Sequence, residues 1–379
     1  MLMITLSNSL SRVSVTAVAA ALLIAASLSV YAGERGAALP VTEMPAESVA
    51  NDGGYLTIFI DNDLFGGTDK NYTNGARISY ITEGKPVINI PFVQRNLQRL
   101  SGDPDSMQWM QRLWGFKNPE EVEYSYGFAL TQLMFTPETL ETLTPPAGER
   151  PYAGWLGVGF SLHARDSNAL NSVEISFGIV GKYSYAQEAQ DYIHEKKNIE
   201  KFQGWDSQIP TEFTLNVAFN QRRRWDWLDN TDIPLGLEID GFHETGYALG
   251  NYLTEAHIGA LVRVGWNLPV EFSDPRLTPT AHTQKLYSDN SINQKAWSLY
   301  ALAGARAGGI LHDITLDGPL FKSYDTGVDK EPWVGELYAG FGVRYKGWEF
   351  GYVHTYRSKR FKTQKDPQAF GSIAIRTRF

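Results

Sequence analysis

Glu336-Leu337-Tyr338-Ala339-Gly340-Phe341-Gly342-Val343-Arg344-Tyr345, the pair Lys346-Gly347, and Trp348-Glu349-Phe350-Gly351-Tyr352-Val353-His354-Thr355-Tyr356-Arg357 form one continuous stretch of this chain. Its residues change character at every second position. Leu337, Ala339, Phe341, Val343 and Tyr345 stand against Glu336, Tyr338, Gly340, Gly342 and Arg344. After the Lys346-Gly347 turn, Trp348, Phe350, Tyr352 and Tyr356 stand against Glu349, Gly351, Thr355 and Arg357. Successive side chains of a strand point to opposite faces, so this period of two predicts two strands, each with one apolar face, joined as a hairpin. Each run has the length of about nine to eleven residues that a tilted strand needs to cross a bilayer.

The same pattern extends outward from this hairpin. Ile258, Ala260, Val262, Val264 and Trp266 alternate with His257, Gly259, Arg263, Gly265 and Asn267, one face suited to lipid and the other to a water-filled lumen. At the end of the chain, Ile373, Ile375, Thr377 and Phe379 alternate with Ser372, Ala374, Arg376 and Arg378. A final strand ending on an aromatic residue resembles the signal by which the barrel assembly machinery reads outer-membrane barrels. Twelve such segments are expected, at 54–62, 72–82, 123–134, 154–165, 171–183, 208–223, 232–246, 251–267, 295–311, 333–345, 347–358 and 369–379. The fold class is therefore all-β, a transmembrane antiparallel β-barrel of about 12 strands, an even number as bacterial barrels require.

The N-terminus agrees with export. Met1 to Arg12 carries one positive charge and no acid, Val13 to Val30 is apolar, and Val30-Tyr31-Ala32 precedes Gly33. That is the organisation of a secretory signal peptide over 1–32, cleaved after Ala32, with an N-terminal periplasmic segment at 33–53 and the barrel at 54–379. No cysteine is present, which removes disulfides, thiolate catalysis and Cys-ligated metals. A net charge of -8 and the lack of a basic stripe give no sign of nucleic-acid binding.

With both termini in the periplasm, the external loops are expected at 63–71, 135–153, 184–207, 247–250, 312–332 and 359–368. Periplasmic connections fall at 166–170 and Lys346-Gly347. The link 83–123 is long for a periplasmic turn. Its stretches Val93 to Leu100 and Ser106 to Phe116 read as amphipathic helices, a short helical periplasmic insertion acting as a plug or lid.

Common catalytic motifs are missing. There is no G-x-S-x-G and no G-x-x-x-x-G-K-[ST], and neither His194-Glu195 nor His243-Glu244 is followed by the second His of a zincin. Polar residues nevertheless converge on the external rim. Asp61-Asn62-Asp63 ends the first strand and Asn71-Tyr72-Thr73-Asn74-Gly75 begins the second. Carboxylates, amides and a hydroxyl in so short a hairpin suit Ca2+, and they equally suit an Asx-rich turn with no ligand. His194 follows a run from Ala186 that is compatible with a helix, either as a functional imidazole or as a solvated loop side chain. Arg150 precedes the fourth strand in Glu149-Arg150-Pro151-Tyr152-Ala153-Gly154-Trp155.

Taken in order, Asp61-Asn62-Asp63, Asn71-Tyr72-Thr73-x-Gly75, Arg150-Pro151-Tyr152-Ala153-Gly154 and Gln187-x-x-Gln190-x-x-x-His194 resemble the outer-membrane lipid A 3'-O-deacylase family. The resemblance runs over about residues 55 to 379. It implies a twelve-stranded barrel with a Ca2+-dependent site that hydrolyses an ester-linked acyl chain of lipid A. Carried over by position, it implies catalytic or site roles for Asn62, Asp63, Thr73 and His194, with Asn62 and Asp63 near the metal. Arg150 matches a motif position, read here as a contact to substrate phosphate or as part of the rim structure. The chain departs from the family pattern in having Gly181-Lys182-Tyr183 where relatives tend to carry Gly-Pro, and in a loop 135–149 without Lys or Arg.

The implied chemistry is coherent. A neutral imidazole can take a proton from water as it attacks an ester, and Ca2+ can stabilise the developing oxyanion. The partners expected are lipid A or lipopolysaccharide and outer-membrane lipid. Two rival readings share the fold: a non-enzymatic channel or surface-binding barrel, and a phospholipid esterase.

Overall fold

The structure is a computed structural model that describes residues 53–63, 71–84, 114–117, 121–198, 200–228, 231–269, 271–272, 274–277 and 297–378. The expected signal peptide at 1–32, the N-terminal segment up to residue 52, the helix at 93–100, most of that at 106–116 and the terminal Phe379 lie outside the described residues. The chain divides into two compact units, one of residues 1–52 with 84–124 and one of 53–83 with 125–379. Among the described residues of the first, Phe116 and Val122 are buried. The barrel belongs to the second.

Thirteen strands follow one another: β1 (Gly54–Asn62), β2 (Asn71–Thr82), β3 (Glu123–Thr136), β4 (Ala153–Arg165), β5 (Ala169–Val180), β6 (Glu212–Arg224), β7 (Thr231–Ile233), β8 (Leu237–Gly250), β9 (Leu253–Trp266), β10 (Trp297–Asp313), β11 (Trp333–Tyr345), β12 (Trp348–Arg357) and β13 (Gln368–Arg378). Twelve of them close a barrel. The first strand pairs with the last, Tyr55 opposite Arg378, and β6 pairs with β8 from Asn216 opposite Gly250. Closure leaves no strand edge with unpaired backbone, which a bilayer interior requires. β7, the odd strand, pairs only with β8. Among the described residues no helix is long and apolar enough to cross a membrane.

Alternation decides which side chains meet lipid. Ile58, Ile78, Phe128, Val158, Phe177, Phe213, Ile258, Leu337, Phe341 and Ile375 are exposed on the outer surface, a cost in water and a gain against acyl chains. The Lys346-Gly347 turn lies at one end of the barrel, and the long connections 137–152, 181–211 and 314–332 lie at the other. Long loops mark the external end of an outer-membrane barrel.

Three expectations need correction. The external loop placed at 247–250 is strand, because β8 runs to Gly250 and only Asn251-Tyr252 turns. Asn216 Oδ1 accepts from the backbone N–H groups of Tyr252 at 3.0 Å and Leu253 at 3.3 Å, which fixes so short a turn. The single strand expected at 232–246 is broken into β7 and β8 by Pro234-Leu235-Gly236, where Leu235 takes a φ of 73°. Proline without an N–H and a left-handed residue turn the chain back there, so that Ile233 stands opposite Leu237 in a short hairpin.

The third concerns the lumen, where ion-paired side chains pack against one another. The chain after β9 does not turn directly to β10: Glu271, Phe272, Asp274, Arg276 and Leu277 are buried inside the barrel. Glu271 on this segment pairs with Arg263 at 2.8 Å, and Arg263 also binds Asp240. Arg222 donates to the Phe272 carbonyl at 2.6 Å. Arg276 binds Asp274 at 2.6 Å and Glu336 at 3.1 Å, with its guanidinium 3.4 Å from the centre of the Tyr338 ring. Buried charges of this kind persist only when each has an opposite partner. Glu271, Asp274, Arg276, Arg222 and Arg263 are all buried.

A candidate site on the outer face of the barrel wall

Odd and even positions of β1 point to opposite sides of the wall, and this separates the three residues of its acidic end. Asp61 faces the lumen, where the Tyr72 hydroxyl donates to its Oδ2 at 3.0 Å. Asn62 takes the alternate, outward position and stands opposite Asn74 in the β1–β2 pairing. Asp63 is fully buried just beyond the strand. Asp61 and Asn62 therefore do not combine into one ligand set.

A bulge re-aims Thr73. Tyr72 lies opposite Phe135 and Asn74 opposite Met134, so Thr73 is the extra residue of β2. Bulges bend a strand and turn a side chain out of the normal alternation. The Thr73 hydroxyl meets that of Thr136, on β3, at 2.6 Å. Sequence periodicity had given no reason to single out Thr136.

The same outer face carries a helix, α1 (Ala186–Lys197), preceded by a 3-10 turn at Lys182–Ser184. Two contacts place its start against the wall. Gln132 of β3 donates through Nε2 to the Ser184 carbonyl at 2.8 Å. Gly154 of β4 leaves the space for it: a Cβ there would lie 2.2 Å from Ser184 Oγ and 2.4 Å from Ala186 Cβ. Ala186, Gln190 and His194 recur at every fourth position, which puts them on one face of the helix, and all three are buried. Gln190 accepts from Trp205 Nε1 at 2.7 Å, and Trp205 packs with Met134, Tyr152 and Ala186 in one cluster.

His194 ends this buried stripe. Its Nδ1 is 2.7 Å from the Glu200 carbonyl oxygen, and the edge of its ring meets Phe202 with centroids 4.8 Å apart. A carbonyl only accepts, so Nδ1 carries the proton and Nε2 presents its lone pair. Asn198 caps the helix in the left-handed region, its N–H reaching the His194 and Glu195 carbonyls, and so turns the chain back to bring Glu200 under the imidazole.

Arg150 lies on the other side of the wall. It is 2% exposed, its guanidinium stacks 4.5 Å from the centre of the inward Phe135 ring, and Nη2 donates to Thr315 Oγ1 at 2.9 Å. Burial brings its pKa down to about 9, opposed by the nearby Asp313, so the side chain stays cationic at neutral pH.

On this face Asn62 supplies an amide oxygen and Thr73 a hydroxyl, and Asp63 follows in the chain with a carboxylate. All are hard oxygens, the donor type Ca2+ takes. Among the described residues no group of three or more His, Cys, Asp or Glu could hold a metal ion.

A closed barrel with an apolar outer belt and its long loops gathered at one end is a protein of the outer membrane. The chain belongs to the LpxR family: the family model described as "Outer membrane protein LpxR" matches residues 18–379. Among solved structures, LpxR from Salmonella typhimurium shares its fold at 17% sequence identity, with 85% of this chain and 99% of that one covered and a TM-score of 0.65. The β domain of the Bordetella autotransporter BrkA also matches, at 8% identity over 86% of this chain and 99% of that one, with a TM-score of 0.39. No curated protein matches the chain. Membership of this family implies lipid A deacylation, and with it a hydrolase whose substrate is lipid A.

Proposed function

We propose that the chain hydrolyses an ester that links an acyl or acyloxyacyl chain to lipid A in the outer leaflet, with His194 as general base. The observation that carries this reading is the contact between His194 Nδ1 and the Glu200 carbonyl, which leaves Nε2 as a proton acceptor on a helix laid against the outside of the wall. Nε2 takes a proton from a water molecule as that water attacks the ester carbonyl. The tetrahedral intermediate then expels the sugar alkoxide, which recovers the proton from the imidazolium. No covalent enzyme intermediate is required.

Asn62, Asp63 and Thr73 complete the site in this reading. Asn62 and Asp63 hold Ca2+, which when bound supplies positive charge for the developing oxyanion, and Thr73, fixed by Thr136, orients the water or the ester. Arg150 serves as a brace of the rim from the lumen side. The ion-paired segment at 267–277 speaks against a channel, since it occupies the lumen that ions would use. The β13 strand is the element through which the barrel assembly machinery engages the chain.

The test is mass spectrometry of lipid A from cells that express the chain, beside cells expressing His194→Ala folded to the same level. Loss of an acyl or acyloxyacyl group is expected only with the unaltered chain, and the variant should be slower by roughly 10²–10⁴-fold, the usual contribution of a general base. Unchanged lipid A with both proteins, with released fatty acid traced to phospholipid, would transfer the reading to a phospholipid esterase.

A further inference from the structure

Two residues of the Asn71-Tyr72-Thr73-Asn74-Gly75 block, Tyr72 and Gly75, have no part in the chemistry above, yet both lie directly behind it. Tyr72 faces the lumen and donates to Asp61 Oδ2 at 3.0 Å. Its ring lies over Gly75, which stands opposite Asp61 in the β1–β2 pairing. A Cβ on Gly75 would come within 2.1 Å of Tyr72 Oη and 2.9 Å of Leu277 Cδ2. Glycine is thus the residue that lets the tyrosine cross to the aspartate. Leu277 packs in the same cluster as Tyr72, and its backbone lies against the Asp61 carboxylate together with the Ser372 hydroxyl.

The surroundings of this bond are rigid. Tyr72 meets Phe370 edge-on at 5.3 Å and Phe135 at 5.4 Å. Arg357 lies 4.5 Å over the Phe370 ring, and Arg150 lies at the same distance over Phe135. Asp61 and Tyr72 are each one residue from a group of the proposed site, Asn62 and Thr73. In a strand, fixing one side chain on the inner face also fixes the backbone that aims its neighbour on the outer face. The bulge at Thr73 makes this support more necessary, because it interrupts the β2–β3 ladder at the residue to be aimed.

We propose that the Tyr72–Asp61 hydrogen bond, closed from the lumen by Leu277, is a positioning clamp that sets the outward orientation of Asn62 and Thr73. The proposal rests on the catalytic reading of those two residues. Tyr72 and Asp61 are positioning residues: they touch neither substrate nor cation, and they act through the strand backbone. Leu277 thereby gains a role besides packing in the barrel, since it completes the support behind the external site.

The experiment is a double-mutant cycle on the full chain refolded in detergent micelles, comparing Tyr72→Phe, Asp61→Asn and the combined variant with the unaltered protein. Heat-modifiable migration reports the barrel, kcat and KM on purified lipid A report the site, and Ca2+ affinity measured by calorimetry reports the cation donors without recourse to activity. Each single variant is expected to keep the barrel and KM, to lower kcat about tenfold, and to weaken Ca2+ binding several-fold. The combined variant should lose no more than either single one, the signature of residues that act through one bond. Wild-type kcat and Ca2+ affinity in folded Tyr72→Phe would overturn the clamp, as would effects of the two changes that simply add. An unaltered chain without deacylase activity, or a fully active His194→Ala, would instead defeat the catalytic reading, so the two failures are distinct.

Discussion

The lumen and the outer face of the β1–β4 wall put their polar residues to opposite ends. Inside, Arg222, Arg263, Arg276 and Arg306 each hold a carboxylate, at 3.0, 2.5, 2.6 and 2.5 Å. Outside, near the external rim, the His194 imidazole is tied to a backbone carbonyl. Charge alone would have pointed to the lumen as the place of chemistry. The difference teaches that an ion-paired cluster is a filling, because each of these arginines already holds a carboxylate. A reactive site needs a group held in place by one atom and left available at another, and His194 is so held.

That comparison can be broken by experiment. The largest effect is expected from removing Ca2+: excess EGTA should abolish deacylation and leave the heat-modifiable barrel intact, and activity retained in EGTA would remove the cation from the site. Next is Gly154→Ala. The added methyl has no room beside Ser184 and Ala186, so α1 must lift from the wall. A displacement on the order of 1 Å at a catalytic group costs about a hundredfold in rate, measurable as kcat on lipid A micelles. Smallest for catalysis is Arg263→Met in the lumen. Leaving Asp240 and Glu271 without their shared partner should cost about 3–5 kcal/mol of stability, seen as a lower midpoint of heat modification, with kcat and KM unchanged in the protein that remains folded. A fall in kcat there, at unchanged fold, would mean that the lumen and the site are not separate.

The barrel was legible in the sequence because strand alternation is a local property. β1 and β11 begin and end where the period of two placed them, at Gly54–Asn62 and Trp333–Tyr345, since one side of each must meet lipid and the other must not. Boundaries slipped where a side chain from elsewhere decided them, as Asn216 does for the turn at 251–252. The helix over 186–197 was foreshadowed by the four-residue spacing of Ala186, Gln190 and His194. The inward course of 267–277 was not. Its only local sign was a link after β9 longer than a barrel turn, with Pro269 and Pro275 among charged residues, a composition equally at home in a solvent loop.

The sequence by itself determined that strands alternate, that about twelve of them form a barrel, and which side of each faces lipid. The tertiary structure alone decided that Asp61 and Asn62 part company across the wall, that Arg150 turns inward onto Phe135, and that Glu200, six residues beyond His194, fixes its tautomer. The physical reason is one of range. Periodicity is written by neighbours two to four residues apart, whereas the direction of a bulged side chain, the burial of an arginine and the protonation of one imidazole nitrogen depend on atoms that only the closed barrel brings within hydrogen-bonding distance.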